Sequence, residues 1–243
     1  MIRNILRGIE GILFDKDGTL IRYDESWGPV NREAARLAAA GDERLQTRLL
    51  MAAGMDPISG HTRADSLFAA GNAVEIAAGF IEAGSPLAAE ELTLRLDALF
   101  VQATEYAVPV TDLQSLFSRL KARGLRLGIA SSDNELSIRQ TARRFEIDGY
   151  LDFVAGYDSG YGVKPEAGMV LSFCSALELE PRRVAIVGDN THDLMMGVNA
   201  GVGAKIGVLT GTGTRGTLEP HADLCVDSIA SLEELLSRDQ DIG

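Results

Sequence analysis

Short apolar runs alternate with helical patterns along most of the chain. Gly11-Ile12-Leu13-Phe14 is wholly apolar and stops at Asp15, which predicts a buried strand. Further strands are expected at 125–130, 152–155, 183–187, 204–209 and 224–226. Helical periodicity fills the intervals at 112–123, 135–145, 166–177, 193–200 and 231–237. Alternation of helices with short, continuously apolar strands predicts an α/β fold, a doubly wound parallel sheet covered on both faces.

The stretch 21–108 has a different texture. It is rich in Ala, Leu and Glu, almost free of β-branched runs, and predicts four helices at 29–39, 43–53, 66–82 and 88–106. Pro29, Pro57, Pro86 and Pro109 punctuate them. The expected organisation is therefore a core formed by 1–20 and 109–243, with 21–108 inserted as an all-helical cap. The insertion departs where the first loop at the sheet's carboxyl edge begins, so a lid over that edge is expected.

Composition narrows the partners. The 243 residues are 46% hydrophobic and 24% charged, an ordinary balance for a folded core. A net charge of -12 repels phosphate backbones and anionic surfaces, so neither nucleic acid nor membrane is an expected partner. An anionic small molecule would have to be held by a local site. No apolar run approaches the ~18–20 residues of a membrane span. Met1 to Glu10 lacks the apolar segment of a signal peptide, and Cys174 and Cys225 stand far apart, which together predict a cytoplasmic protein. His61, His192 and His221 form no zinc pattern.

Candidate chemistry collects at the strand ends, where open parallel sheets bind ligands. The first strand runs into Asp15-Lys16-Asp17-Gly18-Thr19-Leu20, the second into Ser131-Ser132-Asp133, and the fourth into Gly188-Asp189 with Asp193 four residues on. Carboxylates converging on one edge repel one another unless a hard dication, most often Mg²⁺, takes their oxygens. Lys164-Pro165 is expected just before a helix, with Pro165 at its start and Lys164 reaching the same edge. An aspartate at a loop start is ordinarily a cap or turn residue. That explains any one of these positions, but not the ordered set.

Taken in order, DKDGTL at 15–20, Ser131 after an apolar strand, Lys164-Pro165, and Gly188-Asp189 with Asp193-Leu194 resemble the four motifs of the haloacid dehalogenase-like (HAD) phosphatase superfamily. The phosphoglycolate phosphatase-like group, with a helical cap of the C1 type after the first motif, is the nearest pattern. The resemblance implies a phosphatase acting on a small phosphorylated metabolite through an aspartyl-phosphate. Asp15 would be the nucleophile and Asp17 the general acid/base. Ser131 would hold the phosphoryl group, and Lys164 would offset its charge. Mg²⁺ would bind Asp15, the Asp17 carbonyl and Asp189, with Asp193 supporting Lys164 or the metal.

Departures from the pattern matter too. Ser131 and Ser132 stand where threonine and asparagine are common, and Lys16 where an apolar residue is common, its side chain expected to be solvated or structural. Asp17 argues against dehalogenases and phosphonoacetaldehyde hydrolases, and the latter also need a cap lysine, which 21–109 lacks. A β-phosphoglucomutase-like isomerase would carry a histidine where Trp27 stands. A non-enzymatic phosphoacceptor module would be about half as long, without the insertion. Substrate contacts are expected from Ser132, Trp27 and above all Arg63, with Tyr23 and His61 as further candidates. Gly211 to Gly216 spells GxGxxG, but Pro220 follows too soon for a dinucleotide-binding helix, so a flexible loop is expected.

Overall fold

In the computed structural model, which describes residues 5–237, six parallel strands form one sheet in the order β3-β2-β1-β4-β5-β6. They are β1 (Gly11–Phe14), β2 (Arg126–Ala130), β3 (Phe153–Ala155), β4 (Val184–Gly188), β5 (Ala204–Val208) and β6 (Leu224–Val226). Residues 1–4 and 238–243, which the sequence reading gave to the core and, at 1–4, to the test for a signal peptide, lie outside the described residues. Every position of β1 and β4 is buried, as their unbroken apolar sequences require of strands covered on both sides. Side chains alternate across the sheet: Ile12 and Phe14 join a cluster with Phe117 and Ile138, while Leu13 joins another with Phe173 and Met196. The strand order reverses direction between β1 and β4, so the crevice for a ligand falls at their carboxyl ends.

Between β1 and β2 lie α1 (Tyr23–Ala38), α2 (Glu43–Ala53), α3 (Leu67–Ala70), α4 (Ala73–Glu82), α5 (Ala89–Ala103) and α6 (Leu113–Ala122). The remaining helices are α7 (Glu135–Arg144), α8 (Gly168–Leu177), α9 (Thr191–Ala200), α10 (Arg215–Leu218) and α11 (Leu232–Ser237). Helices α1 to α5 enclose a hydrophobic cluster of their own that runs from Ile21 to Ala107 and includes Leu49, Phe80, Leu92 and Leu96. Two adjacent connections tie this helical unit to the sheet. The N–H of Arg22 donates to Val108 O at 2.8 Å and that of Val110 to Leu20 O at 3.0 Å.

Three local expectations are corrected. Pro29 does not start α1, which begins six residues earlier at Tyr23 with Asp24 and Glu25 in its first turn. Pro29 and Glu25 are both exposed, so the carbonyl that the missing N–H leaves free can bond to water. The single helix expected at 66–82 is two, because Asn72 caps a new helix: its Oδ1 accepts from Glu75 N–H at 3.0 Å, and Glu75 Oε2 accepts from Asn72 N–H at 2.9 Å. Pro165 precedes α8 by three residues and does not begin it. Among the described residues no helix is long and apolar enough to cross a membrane.

Candidate active site

Hydrogen bonds of the sheet continue past the strands and fix the first catalytic candidates. Asp15 N–H donates to Val187 O at 2.8 Å, and Ser131 N–H to Ala155 O at 3.0 Å, so both residues stand at the carboxyl edge. Lys164 reaches them from the loop before α8. Its buried Nζ donates to Asp15 Oδ1 and to Asp193 Oδ1, both at 2.6 Å. Asp193 Oδ2 accepts the Asn190 N–H at 3.0 Å, which closes a capping box on α9 and leaves Asp193 committed on both oxygens. Asp15 Oδ2 is buried without a hydrogen-bond partner.

Asp189, at the end of β4, completes a trio: oxygens of Asp15, Asp189 and Asp193 lie within 4.8 Å of one another. The approach is close because glycines surround it. A Cβ at Gly18, where φ is +90°, would stand 2.5 Å from the Asp189 carboxylate, and one at Gly211 would stand 1.9 Å from it. The 211–216 segment is thus not merely a flexible loop. Thr212 N–H donates to Asp189 Oδ2 at 2.8 Å, so its glycine spacing serves close packing against a carboxylate. Arg215 instead pairs with Asp227 at 2.9 Å.

Charge is costly here. Burial pushes the Asp15 carboxyl up to about 6, against the opposing pull of Lys164. Burial, reinforced by Asp15 and Asp193, holds Asp189 well above the ordinary carboxylate range. Burial works against the Lys164 ammonium, yet Asp15 and Asp193 outweigh it and raise its pKa. Three buried carboxylates with one lysine leave excess negative charge, and the unpartnered Oδ2 of Asp15 is an oxygen donor aimed into that space. All the donors are hard, so the residues fit Mg²⁺. Asp15 and Asp189 have oxygens to offer it; Asp193 is taken up by Lys164 and the helix cap, which suits the supporting role expected of it.

A second group faces the first. Trp27 Nε1 donates to Asp17 Oδ1 at 2.6 Å, and Lys16 Nζ lies 3.0 Å from the same oxygen. Ser131 Oγ stands 3.5 Å from Asp17 Oδ2 and accepts the Asp133 N–H at 3.1 Å. Burial pushes Asp17 up to about 6, against Lys16 and the Trp27 N–H, which favour its ionised form. Of the two expectations for Lys16, the structural one holds: the side chain is 1% exposed and also donates to Asp133 Oδ2 at 2.8 Å.

A cleft joins these groups to the helical unit. Asp15, Asp17, Ser131, Lys164, Asp189 and Asp193 line it, together with Ser132, Trp27 and Tyr23. Arg63 does not. Its side chain is exposed, and its N–H bonds to Gly54 O at 3.0 Å, at the C-terminal end of α2. His61 is likewise outside, exposed and 3.3 Å from Asp24. Sequence reasoning missed Asn31, Phe68, Asn190 and His192, all in the lining. Asn190 follows Asp189 directly and was a legible candidate; Asn31 and Phe68 depend on how α1 and α3 pack.

Comparison with known proteins agrees with this geometry. The haloacid dehalogenase-like hydrolase family model matches residues 9–201. The chain is a haloacid dehalogenase-like hydrolase. A pyrophosphatase PpaX of Bacillus mycoides (strain KBAB4) is 29% identical over 120 residues, 49% of this chain and 55% of that protein. A phosphoglycolate phosphatase of Aquifex aeolicus is 29% identical over 96 residues, 40% of this chain and 45% of that protein. The aligned region thus spans about half the length of these relatives. Among solved structures, a predicted phosphoglycolate phosphatase from Haemophilus somnus superposes with a TM-score of 0.71 at 16% identity, covering 94% of this chain and 98% of that one. CbbY from Rhodobacter sphaeroides, solved with phosphate, gives 0.66 at 21% identity, covering 92% and 96%. This HAD hydrolase therefore shares its fold with both of these structures.

Proposed function

We propose that this HAD hydrolase is a phosphatase, a Mg²⁺-dependent phosphomonoesterase for a small phosphorylated metabolite of about the size of phosphoglycolate, and that it works through an aspartyl-phosphate. The observation that carries the reading is Asp15, which lines the cleft: one oxygen is held by Lys164, while the other is buried and unpartnered. A carboxylate so placed is oriented and poorly solvated, which is what an oxygen nucleophile needs. In the first step an Asp15 oxygen bonds to phosphorus and the ester P–O bond breaks. The leaving oxygen takes the proton of Asp17, whose raised pKa keeps a protonated fraction available. In the second step Asp17 accepts a proton from water as that water attacks phosphorus. The acyl-phosphate P–O bond then breaks, returning the Asp15 carboxylate and releasing phosphate.

Ser131 and the Lys164 ammonium meet the transferring oxygens, and Asp193 keeps Lys164 in line. Mg²⁺, when bound by Asp15, Asp189 and the Asp17 carbonyl, supplies Lewis-acid charge to a phosphoryl oxygen. The helical unit at 21–108 acts as a cap domain on the core formed by 1–20 and 109–243, excluding bulk water from the cleft. The test is phosphate release from small monoesters with Mg²⁺ and with EDTA. Turnover that needs Mg²⁺ and is lost in Asp15→Asn supports the reading. Undiminished turnover under exhaustive chelation contradicts it.

A further inference from the structure

The cleft wall opposite the carboxylates bears on what the phosphoryl group leaves behind. Tyr23, Phe68, Ile76 and Phe100 line it from the helical unit, with Ala69, Ala70 and Gly71 beside them. Among the described residues no arginine lines the cleft, and its one lysine, Lys164, already serves Asp15 and Asp193. Nearby guanidinium groups are engaged elsewhere: Arg32 donates to Pro57 O at 3.0 Å, and Arg144 to Thr104 O and Ala107 O at 2.6 and 2.7 Å. At the end of α3 the backbone donors are committed as well, the N–H of Ala70 to Ser66 O and that of Gly71 to Leu67 O.

What the wall does offer is weakly committed. Asn31 Nδ2 reaches Tyr23 Oη only at 3.5 Å, and Asn190 Nδ2 reaches Ala69 O only at 3.4 Å. His192 Nδ1 is buried with no partner. Meanwhile Asp15, Asp17, Asp133, Asp189 and Asp193 make the rest of the lining acidic. The phosphoryl group can be served by Lys164 and a cation. A second anion on the substrate would sit among aromatic rings and face carboxylates, with no fixed positive partner.

We propose that the leaving group of the physiological substrate is uncharged, with an apolar face and at most neutral hydrogen-bonding groups. Substrates carrying a second anion, whether the carboxylate of the ester phosphoglycolate or the second phosphate of the anhydride pyrophosphate, are correspondingly poor. This rests on the phosphatase reading above and narrows it.

The experiment compares kcat/KM on the full-length protein with Mg²⁺. Phosphoglycolate is paired with its amide, which has the same size and no carboxylate charge. Pyrophosphate and ethyl phosphate extend the series, and p-nitrophenyl phosphate reports the chemistry alone. The amide and ethyl phosphate should exceed phosphoglycolate and pyrophosphate by on the order of 10²-fold, the cost of an unpaired buried charge. Ala70→Lys, which places an ammonium on the half-buried wall, should narrow the ratio of amide to phosphoglycolate about tenfold. That ratio is taken within each variant, so loss of folded protein cancels from it. Equal or better turnover of phosphoglycolate or pyrophosphate would overturn the proposal. If that preference vanished in His192→Gln, the overturning contact would be the imidazole. No turnover of p-nitrophenyl phosphate with Mg²⁺ would instead remove the phosphatase reading, and this inference with it.

Discussion

Replacing Trp27 by Phe isolates the control of Asp17. The substitution removes the Nε1–H that donates to Asp17 Oδ1 at 2.6 Å but keeps an aromatic ring against Phe100, whose centroid lies 5.0 Å away edge-on. That hydrogen bond favours the ionised carboxylate, so its loss raises the pKa of Asp17. A hydrogen bond to a charged group contributes about 1.5–3 kcal/mol, equivalent to about 1–2 pH units. Lys16 still holds the same oxygen, which places the expected shift toward the lower end. The pH dependence of kcat/KM reports groups of the free enzyme up to phosphoryl transfer, where Asp17 acts as the acid. Its alkaline limb should move up by about one unit for an alkyl phosphate. With p-nitrophenyl phosphate, whose leaving group needs no proton, the limb should be shallow in both proteins. A folded, active Trp27→Phe enzyme with an unmoved alkaline limb on the alkyl ester would refute the assignment of Asp17 as the acid.

Other consequences follow from the same contacts. Asp15 and Asp17 both titrate near about 6 in the folded protein against an ordinary 3.8, so the folded state binds their protons more tightly. The stability they confer when protonated is present below about pH 4 and lost as pH rises through about 6; thermal melts of EDTA-treated protein should show this fall, and Asp15→Asn/Asp17→Asn should flatten it. Mg²⁺ at a hundred times its Kd should stabilise the protein by about 2.7 kcal/mol near neutral pH, read from the same melts. Lys16→Met leaves Asp17 and Asp133 buried without their cation and should cost about 3–5 kcal/mol in urea unfolding. Arg63→Ala, which alters an exposed side chain outside the cleft, should change stability by less than about 0.5 kcal/mol and leave kcat/KM at the wild-type value.

Much of the core was legible because its signals are local. The apolar run of β1 and the carboxylates that follow it need no tertiary information to be read as a strand and its functional end. β4 behaves likewise, and the observed trio of Asp15, Asp189 and Asp193 assembles because their strands and loops share one edge. The helical unit was legible in composition but less so in detail. Its helix break at Asn72 depends on a reciprocal side-chain cap, and α1 tolerates Pro29 only because that face is exposed.

Side-chain direction was the part the sequence could not carry. Arg63 is suited by its chemistry to a substrate carboxylate, yet it is exposed and not among the residues that line the cleft. The sequence leaves Lys16 either solvated or structural, and Asp17 and Asp133 draw it inside. The glycines at 211–216 mimic a nucleotide loop, and their use became visible only once Asp189 stood against Gly211.

The central claim is that Asp15 carries phosphate during turnover. Acid quench during steady-state hydrolysis, followed by borohydride reduction and peptide mass analysis, tests it most directly, because an acyl phosphate on aspartate is reduced to homoserine. The account predicts homoserine at position 15, a larger yield in Asp17→Asn, where water attack is slowed, and none in Asp15→Asn. Steady turnover with residue 15 unmodified, or with the label on another side chain, would contradict it.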